Sequence, residues 1–168
     1  MINGAPVNVL DFGAVGDGVA DDTAAIQAAI DYAHSLSTGG VVYFNGTFKI
    51  TSTLTIGGRV HLTGPAVIRQ ATSNTPMIKV NKDTFNANWS ITNLNLEYAT
   101  QQTSANTDAR ALVLSESNKL SYLFNVNNVN ISKAYRDIDA PNEVGSFAFL
   151  AAFTNVNITQ CADWGFNW

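Results

Sequence analysis

At 168 residues, 46% hydrophobic and 13% charged, the chain has the composition of an ordered globular protein with a real core. A formal charge of −4 with no run of Lys or Arg argues against nucleic acid or an anionic membrane surface as its main partner. No apolar stretch approaches the roughly 18 residues of a membrane span. Met1 to Ala5 shows neither the basic start nor the apolar stretch of an export signal, and the lone Cys161 excludes an internal disulfide.

In chain order, the first feature is the loop Gly13-Ala14-Val15-Gly16-Asp17-Gly18. It has the look of a phosphate loop without the spacing of one, and no Lys follows it. Asp17, Asp21 and Asp22 lack the spacing and terminal Glu of an EF-hand, so no metal site is expected. Ile26, Ala29, Ile30 and Ala33 then recur with helical period, leaving Gln27 and Asp31 on the opposite side. Asp21, Asp22 or Thr23 can accept from the orphan N–H groups at the start of that helix, and Gly39-Gly40 lies beyond its end.

From Val41 onward the chain breaks into short β-rich pieces: Val41 to Phe44, Phe48 to Ile50, Leu54 to Ile56, Val60 to Leu62 and Ala66 to Ile68. Asn45-Gly46, Gly57-Gly58 and Gly64-Pro65 punctuate them. A sandwich, a barrel and a solenoid all fit such a pattern. The internal repeat selects the solenoid. Ile91 to Leu96, Val126 to Ile131 and Phe153 to Ile158 share the order apolar, polar, Asn, apolar, Asn, apolar, at variable intervals of 35 and 27 residues. Stacked at about 4.8 Å, Asn93, Asn128 and Asn155 form an asparagine ladder at a two-residue corner and satisfy polar groups there. Asn95, Asn130 and Asn157 form an outward column, while Leu94/Val129/Val156 and Leu96/Ile131/Ile158 stack inward. Trp89, matching Phe124 and Ala151 in the repeat, belongs to the core. The amphipathic helix is a lid for the open first rung. The sequons at Asn45, Asn88, Asn130 and Asn157 follow from heavy use of Asn and Thr.

The run Val9 to Gly18, followed by Ala20-Asp21-Asp22-Thr23 to Ile30, Gly39-Gly40-Val41-Val42-Tyr43-Phe44 and Gly46-Thr47-Phe48-Lys49-Ile50, resembles the N-terminal signature of the pectate-lyase-like superfamily. It departs at Asn45-Gly46-Thr47, where that family usually has Pro-Ala-Gly. The resemblance implies an all-β, right-handed parallel β-helix, a single-stranded solenoid with one N-terminal capping α-helix. Residues 1–40 are its N-terminal strand, loop and capping helix, and residues 41–168 its first coils, cut before the repeat is complete. It further implies a parent that cleaves a bacterial surface polysaccharide, a phage tailspike depolymerase acting as a homotrimer on the virion tail. No cofactor, nucleic acid or membrane insertion is implied. A glycan-binding adhesin or virion scaffold, and a secreted pectinase-type hydrolase, are the alternatives; the missing signal and missing cysteine pairs weigh against the last.

Candidate catalytic residues come from aligning the coils after the ladder. Ala111 to Leu114, Arg136 to Asp139 and Gly165 to Trp168 then share one sheet, with an ambiguity of one residue. Asp137 and Asp139 flank inward Ile138, face outward and stand about 6.6 Å apart along the backbone. That separation suits an inverting carboxyl pair, while solvated charges near the turn at Pro141-Asn142 are the plainer expectation. Tyr135, Trp164 and Trp168 are candidate sugar-stacking residues. Asp163 is a weaker acid candidate, His34 and His61 are expected on the surface, and Cys161 is expected to be structural.

Overall fold

Ile26, Ala29, Ile30 and Ala33 do form one face of a helix, α1 (Thr23–Ser35), and all four side chains are fully buried. The computed structural model describes residues 5–114, 119–140, 147–163 and 166–167. Ahead of α1 lie β1 (Val7–Asn8), a 3-10 turn (Val9–Phe12) and β2 (Asp17–Asp21). After it come β3 (Gly40–Tyr43), β4 (Gly46–Ile50), β5 (Leu54–Ile56), β6 (Val60–Gln70), β7 (Ile78–Val80), β8 (Phe85–Ala87) and β9 (Ser90–Tyr98). The chain continues through β10 (Arg110–Val113), β11 (Leu120–Ser132), β12 (Arg136–Asp139), β13 (Phe147–Thr159) and β14 (Phe166–Asn167).

Among the described residues every strand pairing is parallel, in two sheets. One sheet is ordered β5-β7-β10-β12-β14, and the other runs β1-β3-β6-β9-β11-β13 with β2, β4 and β8 attached. Neighbours in each sheet are one coil apart in sequence, so the chain winds as a parallel β-helix. β6 and β9 each supply two walls of a rung by bending once, while β11 bends again at Leu123, ahead of which it pairs with β8. The bend is a single left-handed residue at Asn93, Asn128 and Asn155, with φ of 58°, 54° and 51°, where the sequence pattern predicts a bend over two residues. Asn enters this region at lower steric cost than other residues with a Cβ, which explains its recurrence. Nor is the ladder a buried device: all three side chains are exposed. Asn128 Nδ2 donates to Asn93 Oδ1 at 2.9 Å, and in the neighbouring column Asn130 Nδ2 donates to Asn95 Oδ1 at 2.6 Å.

Inside the coil, register turns the repeat into columns. Leu62, Ile91, Val126 and Phe153 stack in one, and Ile68, Leu96, Ile131 and Ile158 in another. The lower members are fully buried, while Phe153 and Ile158 on β13 are half-buried against them. Trp89 lies flat on Phe124, centroids 4.3 Å apart and planes 7° from parallel, and Phe124 meets Phe153 edge-on.

The helix closes the first rung through hydrogen bonds as well as apolar contact. Gln27, expected on the outer side, reaches β5: Thr55 N–H donates to Gln27 Oε1 at 2.9 Å, and Gln27 Nε2 donates to the Thr55 carbonyl at 3.0 Å. The amide thereby replaces the missing strand below β5. Asp22 stands at the helix N-cap but does not cap it; its buried carboxylate instead accepts from Val15 N at 2.6 Å and Gly16 N at 3.2 Å, tying down the glycine loop. Asp21 accepts from Thr23 N and Oγ1 and from Thr51 Oγ1, which joins the helix start to the end of β4. Those hydroxyl and backbone donors hold the Asp21 carboxyl below its usual range.

Gly64 occupies the same corner position in the lowest of these long strands. Its φ is +142°, and a Cβ there would lie 1.9 Å from the Phe44 carbonyl oxygen. At Gly13, φ is +96° but a Cβ would meet nothing within 4 Å. Gly64→Ala is therefore expected to destabilise by on the order of 3 kcal/mol or more, combining backbone strain with overpacking. Gly13→Ala should cost about 1 kcal/mol. Urea midpoints of the two variants check the ranking.

Candidate functional site

The wall formed by β10 and β12 carries most of the buried charge. Arg110 pairs with Arg136, Leu112 with Ile138 and Val113 with Asp139, and Ile138 then pairs with Phe166. This resolves the ambiguity of alignment: the strand in β10 starts at Arg110, one residue before the frame beginning at Ala111.

Asp137 and Asp139 flank core residue Ile138 as expected, but neither faces water. Relative exposures across Asp137, Ile138 and Asp139 are 0%, 1% and 1%, and the four residues of β10 beneath are buried too. Alternation along a strand assigns faces, not what covers them; here both faces are closed, and the expectation of solvated carboxylates fails for that reason.

The two carboxyls have different environments. Asp139 Oδ2 lies 3.2 Å from Arg110 Nη1, and Arg110 also engages Asp108 through Nε at 2.9 Å. Asp137 makes no hydrogen bond through either oxygen to the described residues. Burial pushes its carboxyl up to about 6, an effect only partly offset by the neighbouring Cys161 thiol. Cys161 in turn is pushed up to about 12 by burial and by Asp137, which makes it a poor nucleophile. Its Sγ lies 2.9 Å from the Asp163 carbonyl and 3.2 Å from that of Tyr135. One wall thus holds an arginine-paired carboxylate, Asp139, beside a desolvated carboxyl, Asp137. Closure of both faces leaves no room for a glycosidic bond beside them in this state.

Of the candidate stacking residues, Tyr135 is half-buried against the core, with the Arg136 guanidinium carbon 5.5 Å from its ring centroid. Arg136 Nε is 3.3 Å from Asp163 Oδ2. Trp164 and Trp168 lie outside the described residues. Both histidines have partners that sequence proximity could not supply. His34 Nε2 is 2.9 Å from Asp83 Oδ2, which also accepts from Gly58 N, so the helix end is fastened to the turn after β7. His61 Nδ1 is 2.9 Å from Ser90 Oγ.

Reading by residue missed Arg110 and Arg136, the two cations of the cluster; Arg opening two consecutive wall strands is the signal that marks them. Among the described residues no group of three or more His, Cys, Asp or Glu is placed to hold a metal ion. No described helix is long and apolar enough to cross a membrane.

A helix-lidded parallel coil with recurrent left-handed corners is a β-helix of the pectate-lyase-like superfamily. Within it, the model described as rhamnogalacturonase A/epimerase, pectate lyase-like, matches residues 6–134, and the chain belongs to that family. Over 64 residues, 34% of this chain, it is 50% identical to mannuronan C5-epimerase AlgE1 of Azotobacter vinelandii, covering 5% of that protein. The ORF18 protein of Geobacillus virus E2 superimposes with a TM-score of 0.59 at 25% identity, covering 79% of this chain and 28% of that one. A 1,3-α-1,4-β-D-galactose-4-sulfate-3,6-anhydro-D-galactose-2-sulfate 4-galactohydrolase superimposes with a TM-score of 0.76 at 17% identity, over 96% of this chain and 40% of its own. The chain therefore spans only a small part of its relatives' length.

Asp137 provides a pH test of the cluster. Its folded affinity for a proton exceeds that of the unfolded chain, so stability is fullest below the ordinary carboxylate range and is lost as pH rises through about 6. Asp137→Asn should raise the melting temperature at about pH 7.5 and leave it nearly unchanged at about pH 4. An equal shift at both values would show that burial of the charge is not the cause.

Proposed function

We propose that this chain is the N-terminal β-helical portion of a tailspike-type depolymerase acting on a bacterial capsule, O-antigen or exopolysaccharide, and that these rungs serve mainly as its scaffold. Membership of a polysaccharide-acting family supports the substrate class, and the likeness to a phage protein supports the virion setting. The observation that carries the scaffold role is the closure of the β10 and β12 wall over Asp137 and Asp139. Carboxyl groups that a glycan cannot reach stabilise or destabilise a rung; they do not protonate a leaving group. In this reading the cleaving groups belong to rungs beyond this chain, and the parent assembles as a homotrimer.

The parent protein and this chain should be incubated in parallel with capsule, O-antigen and pectin preparations. New reducing ends or unsaturated products are expected from the parent on a surface polysaccharide, with the chain alone at least about a hundredfold slower. Asp137→Asn and Asp139→Asn in the parent should leave its rate per folded molecule unchanged. Binding without products from any glycan would instead mark a glycan-binding module, and cleavage of pectin alone would mark a pectinase-type hydrolase.

A further inference from the structure

The wall formed by the first halves of the long strands presents two outward columns without charge, whereas the wall around the corner has one column without charge, Thr47, Val67, Asn95, Asn130 and Asn157, and one that carries it. Register places Tyr43, Thr63, Thr92, Asn127 and Thr154 in one outward column. The column beside it holds Val41, His61, Ser90, Asn125 and Ala152. Neither contains a Lys, Arg, Asp or Glu, in a chain that is 13% charged. Around the corner, the equivalent column runs Lys49, Arg69, Glu97, Ser132, with Arg69 and Glu97 paired. The uncharged wall is thus a ladder of hydroxyls and amides, with Thr92 Oγ1 donating to Thr63 Oγ1 at 2.8 Å.

At the foot of this wall, where α1 ends, lies a cleft of about 280 Å³ whose lining includes Thr38, Gly39, Gly40, Val41 and His61. That is room for a small ring rather than a drug-sized ligand. Among the described residues no acidic side chain, Lys or Arg lines it; the adjacent Arg59 is tied through Nη1 to the Ser37 carbonyl. His61 is the positioned group. Ser90 Oγ holds its Nδ1, and Nε2 carries no hydrogen bond among the described residues. Burial lowers the imidazole's proton affinity, which keeps it neutral near pH 7 and able to donate or accept.

We infer that this wall is a glycan track for an uncharged polysaccharide, with the chain running along the β-helix axis and one sugar ring seated in the cleft against His61. A rung spacing of about 4.8 Å sets polar side chains at intervals comparable to one sugar unit, so successive rungs can meet successive units. Lack of charge excludes strong capture of a uronate polymer and suits hydroxyl-to-hydroxyl and hydroxyl-to-amide hydrogen bonds. The inference rests on the polysaccharide reading but places contact on a different wall from the carboxylates.

The chain has two histidines, which makes the test direct. Their imidazole signals should be followed by NMR while neutral hexose oligomers, and separately uronate oligomers of equal length, are titrated in. The neutral oligomer is expected to shift His61 saturably and leave His34 in place, with the uronate at least about tenfold weaker. Thr92→Lys and Asn127→Lys, outward substitutions checked by circular dichroism, should each weaken the neutral oligomer about tenfold. An unmoved His61, equal shifts with the uronate, or undiminished binding by both lysine variants would overturn the track. The readout is binding by this chain, so its failure leaves depolymerisation by the parent untouched, and failure of the parent to cleave leaves the track untouched.

Discussion

Parallel stacking makes each rung the hydrogen-bonding template of the next, and that works only if the chain turns the same corner at the same place in every coil. Gly64, Asn93, Asn128 and Asn155 supply that corner with positive φ. Because the bend is one residue long at Asn93 and Asn128, the residues on either side keep their register, and Ile91 lies under Val126 while Leu96 lies under Ile131. At the β6 corner two residues, Gly64 and Pro65, face the single Asn93, and the register shifts by one. Variation in coil length is thereby confined to the connections between walls. Further left-handed residues at Arg59, Asn88 and Leu123, and at Lys133 and Gln160, mark the other corners. The strain of a left-handed residue with a Cβ, about 1–2 kcal/mol for most types, is lower for Asn and Gly and is offset by the columns it aligns.

A stack of templates has an open end, and the N-terminal segment is shaped by closing it. Apolar burial by Ile26, Ala29, Ile30 and Ala33 covers the hydrophobic interior, but backbone groups at the edge also need partners. Gln27 meets both polar groups of Thr55 with its side-chain amide. Asp22 spends its carboxylate on the glycine loop, and Asp21 with Thr23 fastens the helix start to Thr51. At the other end of the helix, the His34 and Asp83 pair joins the lid to the second coil. The acidic residues around the loop thus hold the lid in place.

Buried charge on the β10 and β12 wall shows how one residue of register decides chemistry. Asp139 gains a guanidinium from the coil below, whereas Asp137, two positions earlier, gains only a thiol and loses solvent. An ionised carboxylate in that position is costly, so the proton stays to higher pH. The same closure buries both carboxyl groups. On the uncharged wall the outward side chains are half-buried or exposed.

The fold was legible because it is periodic. The asparagine-bearing repeat, the helical period of α1 and the glycine-rich start each follow from spacing, and spacing is a property of the chain alone. So was the core role of Trp89, since its repeat position matches Phe124. The conformation at Asn93 and its exposure were not legible, because a sequence pattern marks where a corner falls and not how many residues make it or which way the side chain points. Burial of Asp137 and Asp139, the Arg110 partnership, Gln27 as a substitute strand, and the links of His34 to Asp83 and His61 to Ser90 join residues 28 to 49 positions apart or depend on what covers a face. Sequence determined the period and the family to which it belongs. Only the coil's tertiary packing decided which polar groups lose water, because solvent exposure is set by neighbours from other rungs and not by the strand that carries the residue.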